Sequence, residues 1–229
     1  YHRGNNINMN ANKDEIHLSN RLEKMYSGIL FDVVRAFGFR NCVLPSSLRP
    51  LNVDHKIAGR VFTVAGEVDQ SQSEKESLLR WCEFLSKAPS DHIIVVQPND
   101  ETIAHLGELS AETLNYKGIR GFIADGGCRD TEFIYKQDFP VWCRYFTPLD
   151  LVGYWRPATF NEPIMIGSVT INAGDYIFAD RDGVVAIPAS IAEAVADRAE
   201  ELINTENLVR KAILEGIDPV DAYLKYEKF

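Results

Sequence analysis

Two short, wholly apolar runs, Ile93–Val96 and Gly121–Ala124, constrain this chain more than any other feature. The first does not alternate polar with apolar residues and reads as a buried strand, and the second reads as a short strand running into the turn Asp125-Gly126-Gly127. Between them the spacing predicts a helix over about Ile103 to Tyr116, stopped by Gly118. Upstream, a strand at Gly59 to Ala65 and a helix at about Ser73 to Lys87 repeat the alternation, which is the mark of a layered α/β core. The N-terminal helical pattern runs from about Asp14 to Phe37, with Ser27-Gly28 as its point of division. After Gly127 the pattern changes. Short strands at Val141 to Arg144, Pro163 to Ile166, Val169 to Ile171, Tyr176 to Ala179 and Val184 to Ile187 alternate with turn signals such as Arg181-Asp182-Gly183. A long amphipathic helix follows from Ala189 to about Leu214, and a shorter one near Pro219 to Tyr226.

The chain has 229 residues and no linker-like stretch, so the reading is a single domain over 13–229 with a helical extension from about 189. Residues 1–12 are polar and Asn-rich, and they read as a tail, with Met9 as a natural start preceded by vector residues. A formal net charge of -9 argues against a nucleic acid or an anionic membrane as the main partner, because both would be repelled. Four scattered cysteines without a C-x-x-C pair, and no recognisable signal peptide, point to a reducing, cytoplasmic setting. No apolar run reaches the roughly 20 residues needed to span a bilayer.

The chemistry concentrates in one interval. Glu108 and the pair Arg129-Asp130 are separated by twenty residues, enough for a helix and a strand that fold both ends onto one site. Gly126 and Gly127, just after the strand, let backbone approach a ligand closely. Arg129 offers a planar fork of donors to a carboxylate or a developing enolate oxygen. Asp130 offers a hard oxygen to Mg²⁺ (or Mn²⁺), which accepts one or two protein carboxylates and fills its octahedron with water or substrate oxygens. A 2-oxo acid supplies such oxygens from its carboxylate and ketone. Among the neighbours, Asp125 reads as the residue fixing the turn ahead of metal binding, and Cys128 as a packing residue ahead of a nucleophile. His105 reads as a helix-face histidine ahead of a proton shuttle.

These motifs resemble the RraA-like family, which includes 4-hydroxy-4-methyl-2-oxoglutarate aldolases and the regulator of ribonuclease E activity A. The resemblance runs from about Tyr26 to Pro188. It rests on the Ser27 to Val34 stretch, Gly59-Arg60-Val61-Phe62-Thr63-Val64, His105-Leu106-Gly107-Glu108, Asp125 to Asp130, and Val169 to Pro188. The family's aldolases carry an Asp, twenty residues and then Arg-Asp; Glu108 stands here in place of that Asp. The resemblance implies a swivelling β/β/α fold, assembled as a trimer or hexamer with sites between subunits. It implies Asp130 as the metal ligand, Arg129 as the group that polarises the substrate ketone, and Gly107, Leu109 and Ser110 as backbone contacts to the substrate carboxylate. Glu108 would position the water that protonates the enolate, and Glu200 or Glu201 would be the carboxylate lent by a neighbouring subunit.

The activity so implied is Mg²⁺-dependent cleavage of a carbon–carbon bond in a small 2-oxo acid, by retro-aldol reaction or by decarboxylation of oxaloacetate. Two other readings stand beside it. One is a non-catalytic protein that binds a ribonuclease, and the other is a lyase of the same chemistry acting on a different 2-oxo acid. The 41 residues after Pro188 favour an enzyme over the compact regulators.

Overall fold

The structure, a computed structural model, describes residues 12–228; the Met9 start and all of the expected 1–12 tail except Asn12 therefore lie outside the described residues. Helix α1 (Lys13–Glu23) opens with a capping box in which Asn12 accepts from the amides of Asp14 and Glu15 while Glu15 reaches back to the Asn12 amide. Helix α2 (Ser27–Ala36) is separate, so the division falls just before Ser27. Then come β1 (Arg49–Pro50), the long β2 (Ile57–Val68), α3 (Glu74–Lys87) behind its own Ser73/Glu76 capping box, and β3 (His92–Gln97). The central segment supplies α4 (Glu108–Tyr116), β4 (Gly121–Ala124), β5 (Gly127–Cys128) and α5 (Thr131–Lys136). The remainder is β6 (Val141–Cys143), β7 (Tyr145–Phe146), β8 (Trp155–Phe160), β9 (Ile164–Ile166), β10 (Val169–Ile171), β11 (Tyr176–Ala179), β12 (Val184–Ile187), a short 3₁₀ turn, α6 (Ala192–Leu214) and α7 (Pro219–Tyr226).

The main sheet has the order β1-β6-β4-β3-β2-β11-β12, with β8 also paired to β2. Strands β2, β3, β4 and β6 are parallel, and the others join antiparallel. Strand β2 is long enough to pair with β11 through its first half and with β8 through its second, with a register shift at Ala65/Gly66 inside the β8 pairing. Alternation along the central strands sends Phe62, Ile94, Val96 and Phe122 into a core beneath α3, α4 and α5. Val61, Ile93, Val95 and Ile123 face the opposite way, against Ile164, Ile166, Val169 and Ile171 of the β9–β10 hairpin. The layering is therefore helix, sheet, small β layer. A third cluster joins α1, α2 and α6 to β11 and β12, and Arg21 of α1 clasps Asp197 and Glu200 of α6 there.

Several elements depart from the sequence reading, the two-residue strands β1, β5 and β7 among them. Residues 103–107 are not helical: Ala104 bridges Gly127, and α4 begins only at Glu108. Strand β8 is unexpected because it holds Arg156 and Pro157, but it pairs on one side only, where a proline costs no ladder hydrogen bond. The short α5, straight after Asp130, carries no apolar period long enough to read.

Gly66 lies against Trp155: a Cβ there would sit 1.8 Å from the indole Cζ2. The Trp155 side chain is fully buried, and its Nε1 donates to the Pro98 carbonyl at 2.7 Å, so it has little room to yield. Gly66→Ala is expected to cost about 3 kcal/mol of stability, at the upper end for overpacking, measured as a lowered urea midpoint at unchanged slope.

Candidate active site

The site is built from two backbone segments laid side by side. The His105 amide donates to the Gly127 carbonyl at 2.8 Å, the Arg129 amide to the Leu106 carbonyl at 2.9 Å, and Ala104 to Leu149 at 2.9 Å. On the other flank Arg144 donates to Gly126 and Thr147 to Cys128. The turn after β4 is thus held from both sides. Its glycines are demanded by contact: a Cβ at Gly126 would lie 2.3 Å from His105 Nδ1, and one at Gly127 2.6 Å from the Ile103 carbonyl oxygen.

His105 is the wedge behind this turn and is 0% exposed. Its Nδ1 accepts from the Gly127 amide at 3.2 Å, which leaves the proton on Nε2, 3.5 Å from Asp100 Oδ2. The ring packs edge-on against Trp155 with centroids 5.0 Å apart. Asp100 is fixed by the amides of Thr102 and Ile103; burial pushes its carboxyl up, but these donors outweigh it and the net displacement is downward. His105 is therefore neither on a helix nor at the solvent-facing mouth of the site. It shapes the turn.

Beyond the turn, Arg129 and Asp130 emerge beside the N-terminus of α4. Asp130 sits in the left-handed region at φ 55°, a conformation that Asp and Asn tolerate better than most residues. Its Oδ2 accepts from the Glu108 amide at 3.2 Å and lies 3.4 Å from Arg129 Nε. Arg129 Nη1 donates to Asp150 Oδ2 at 3.2 Å, and Asp150 Oδ1 in turn accepts from the Val152 amide. Gly107 makes this packing possible, because a Cβ there would meet Asp130 Oδ2 at 2.8 Å and Arg129 Nε at 3.2 Å. Its own backbone is extended (φ -136°, ψ -178°), so only the close approach requires glycine.

These groups open onto a cleft of about 520 Å³. Gly107, Glu108, Leu109, Ser110, Arg129 and Asp130 all line it, so these six residues expected from the sequence meet there. The first-turn amides of α4 have no intrahelical acceptor, and together with the helix dipole they make its N-terminus receptive to a carboxylate. Ser110 is further fixed by Trp81, whose Nε1 donates to its Oγ at 2.8 Å. Glu200 and Glu201 are elsewhere in this chain, paired with Arg21 and Arg198 on the α1/α6 side.

Sequence reasoning missed Asp150, which reads as an ordinary turn residue in Thr147-Pro148-Leu149-Asp150 and becomes visible only through its contact with Arg129. Cys128 is buried, and a hydrogen bond with Cys143 followed by burial holds its thiol far above the range of a reactive thiolate. Asp125 is half-buried beside Arg144, and burial raises its carboxyl.

The donor set limits the metal that would fit. Among the described residues no three His, Cys, Asp or Glu side chains lie close enough to share an ion, so a zinc-type cage is not built here. Asp130 lines the cleft, and its Oδ1 has no hydrogen-bond partner among the described residues, which leaves one hard oxygen free for a cation. One carboxylate with space for water and substrate oxygens suits Mg²⁺ or Mn²⁺.

The model of the RraA-like family, described as Aldolase/RraA, matches residues 28–186. The chain belongs to the RraA-like family. A protein of Halalkalibacterium halodurans provisionally named a 4-hydroxy-4-methyl-2-oxoglutarate aldolase is 29% identical over 182 residues, covering 80% of this chain and 83% of that protein. Protein DlpA of Legionella pneumophila is 29% identical over 193 residues, but this chain spans only 30% of its length. The crystal structure of Streptomyces coelicolor RraAS2, an unusual member of the RNase ES inhibitor RraA protein family, superposes with a TM-score of 0.76 at 25% identity, covering 88% of this chain and 98% of that one. The α/β fold is thus the RraA-like one. No helix among the described residues is long and apolar enough to cross a membrane.

Burial holds the His105 imidazole down at about 4, against an ordinary value near 6.5. Such a histidine is neutral when folded but takes up a proton when unfolded, so stability is lost as pH falls from about 6.5 to about 4 and changes little from this source below that. The contribution is on the order of 3 kcal/mol. Buried His92, likewise held down by burial, adds to the same acid limb. His105→Gln is expected to flatten that limb in urea titrations between pH 7.5 and 4, while lowering stability at neutral pH.

Proposed function

We propose that this RraA-like protein is a Mg²⁺- or Mn²⁺-dependent carbon–carbon lyase that releases pyruvate from a small 2-oxo acid. The observation that carries the reading is the convergence of Arg129, Asp130 and the N-terminus of α4 in one cleft, locked by the bond from the Glu108 amide to Asp130. A cation held by Asp130 would supply Lewis-acid stabilisation of the charge that develops on the substrate's oxygens.

The chain's own groups divide the remaining work. The amides of Leu109 and Ser110 would hold the substrate carboxylate. Arg129, aligned by Asp130 on one side and Asp150 on the other, presents its free donors to the ketone oxygen, where negative charge grows as the C3–C4 bond breaks. In the retro-aldol direction the C4 hydroxyl gives up its proton, C4 becomes a carbonyl, and the bonding pair stays with C3. Oxaloacetate would instead lose CO₂ and leave the same enolate. Glu108 lines the cleft at the first position of α4, a place from which it can hold the water that delivers a proton to C3.

A second reading has a specific observation behind it. The likeness to RraAS2 extends over nearly that entire chain, and Glu108 replaces the aspartate of the family's aldolases, so a ribonuclease-binding protein without lyase activity is the competing proposal. Coupled assay of pyruvate release from oxaloacetate and from 4-hydroxy-4-methyl-2-oxoglutarate separates the two. Turnover that EDTA abolishes and Mg²⁺ restores supports the lyase; a tight ribonuclease complex with no turnover of either substrate rejects it.

Two variants sharpen this. Asp130→Asn keeps a residue tolerant of the left-handed backbone, so stability is expected to change by less than about 0.5 kcal/mol while kcat/KM falls roughly a hundredfold or more. Full Mg²⁺-dependent turnover by this variant would remove Asp130 from the site. Gly107→Ala introduces a methyl where the backbone permits any residue, so the melting temperature should hold within a few degrees. Displaced Arg129 and Asp130 side chains should lower kcat/KM roughly tenfold to a hundredfold.

A further inference from the structure

The cleft that holds Arg129 and Asp130 continues along α3, and there its character changes. Leu78, Trp81 and Leu85 of α3 line it there, together with Leu109, Leu151 and Val152. Leu109 is 76% exposed and Leu78 45% exposed, an unusual expenditure of apolar surface beside a polar site. Trp81 spends its only polar atom on Ser110, so its ring offers the cleft a purely apolar surface. The Gly153 amide donates to Ser77 Oγ at 2.8 Å, tying the 150–153 segment to α3.

The charges point the same way. Arg129 is the one cation among the described residues lining the cleft, and it already faces Asp130 and Asp150; Glu108 adds a third carboxylate. The substrate's own carboxylate and ketone occupy the polar end in the proposed reaction. A second, distal carboxylate would lie against leucines and near Asp150, with no further cation among the described residues lining the cleft to receive it, and giving up its water there costs hydration energy.

We infer that the preferred substrate is a 4-hydroxy-2-oxo monocarboxylic acid whose C4 substituent is an alkyl group, seated between Leu78, Trp81 and Leu151, and not a dicarboxylate. The inference rests on the lyase reading above and narrows it. Cleavage breaks C3–C4, the hydroxyl proton passes to solvent, C3 takes up a proton to give pyruvate, and the alkyl group leaves on an aldehyde.

The test uses the full chain with Mg²⁺ and begins with binding alone. Neither 2-oxoglutarate nor 5-methyl-2-oxohexanoate carries a 4-hydroxyl, so neither can be cleaved, and the second replaces the distal carboxylate by an isopropyl group of the same shape. Calorimetric titration is expected to show the isopropyl compound binding at least tenfold more tightly. In turnover, each methylene added along 4-hydroxy-2-oxopentanoate, hexanoate and heptanoate should raise kcat/KM about fourfold, the equivalent of about 0.8 kcal/mol per buried methylene. Leu78→Arg, at a half-exposed position outside the catalytic machinery, should shift the binding ratio at least tenfold toward 2-oxoglutarate. Equal or tighter binding of 2-oxoglutarate by the unaltered protein, or a flat alkyl series, would overturn the inference, and turnover of oxaloacetate in the same preparation would leave the lyase reading standing. If neither probe binds and no substrate releases pyruvate, the lyase reading falls and the inference with it.

Discussion

The hydrogen bond from the Gly127 amide to the His105 imidazole is the contact on which the site's geometry depends. It is 3.2 Å long and wholly buried, and it joins the two segments that carry the chemistry. His105 is in turn held by Trp155 and oriented toward Asp100, and Trp155 sits where Gly66 leaves room beside the register shift of β2. A line of contacts therefore runs from the longest strand through an indole and an imidazole to the turn that presents Arg129 and Asp130. Each link is a fit against backbone or a fixed ring, so displacement at one end is transmitted instead of absorbed.

This arrangement explains why so small a part of the chain does so much. Two backbone segments zipped by the bonds between His105 and Gly127 and between Leu106 and Arg129 leave the side chains of Arg129 and Asp130 no choice but the N-terminus of α4. Gly107 lets the three meet. The result is a cation, a metal-competent carboxylate and a set of free amides on one rim, which is the minimum that enolate chemistry on a 2-oxo acid requires.

Much of this was legible in the sequence, for identifiable reasons. The unbroken apolar run at Ile93–Val96 read as a buried strand and Gly121–Ala124 as a short strand, and β3 and β4 lie there side by side in parallel. The spacing of Glu108 from Arg129-Asp130, with two glycines before the pair, marked the segments that line one cleft. What stayed hidden depends on tertiary contact. Residues 103–107 carry a helical pattern, but pairing with Gly127 and the demands of the Asp100 turn draw them out of a helix. His105 looked like a helix-face residue because nothing in the sequence shows which backbone amide it will meet. Asp150 lies twenty-one residues from Arg129 in a turn, and β8 pairs only at an edge, so neither gave a periodic signal.

The central claim is that this cleft stabilises the enolate of pyruvate, and the most direct test needs no knowledge of the distal group. Pyruvate incubated in D₂O with the protein and Mg²⁺ can be followed by the loss of its methyl proton signal in NMR spectra. The account predicts exchange well above the rate without protein, abolished by EDTA and by Arg129→Ala. Exchange no faster than in buffer containing Mg²⁺ alone would contradict it.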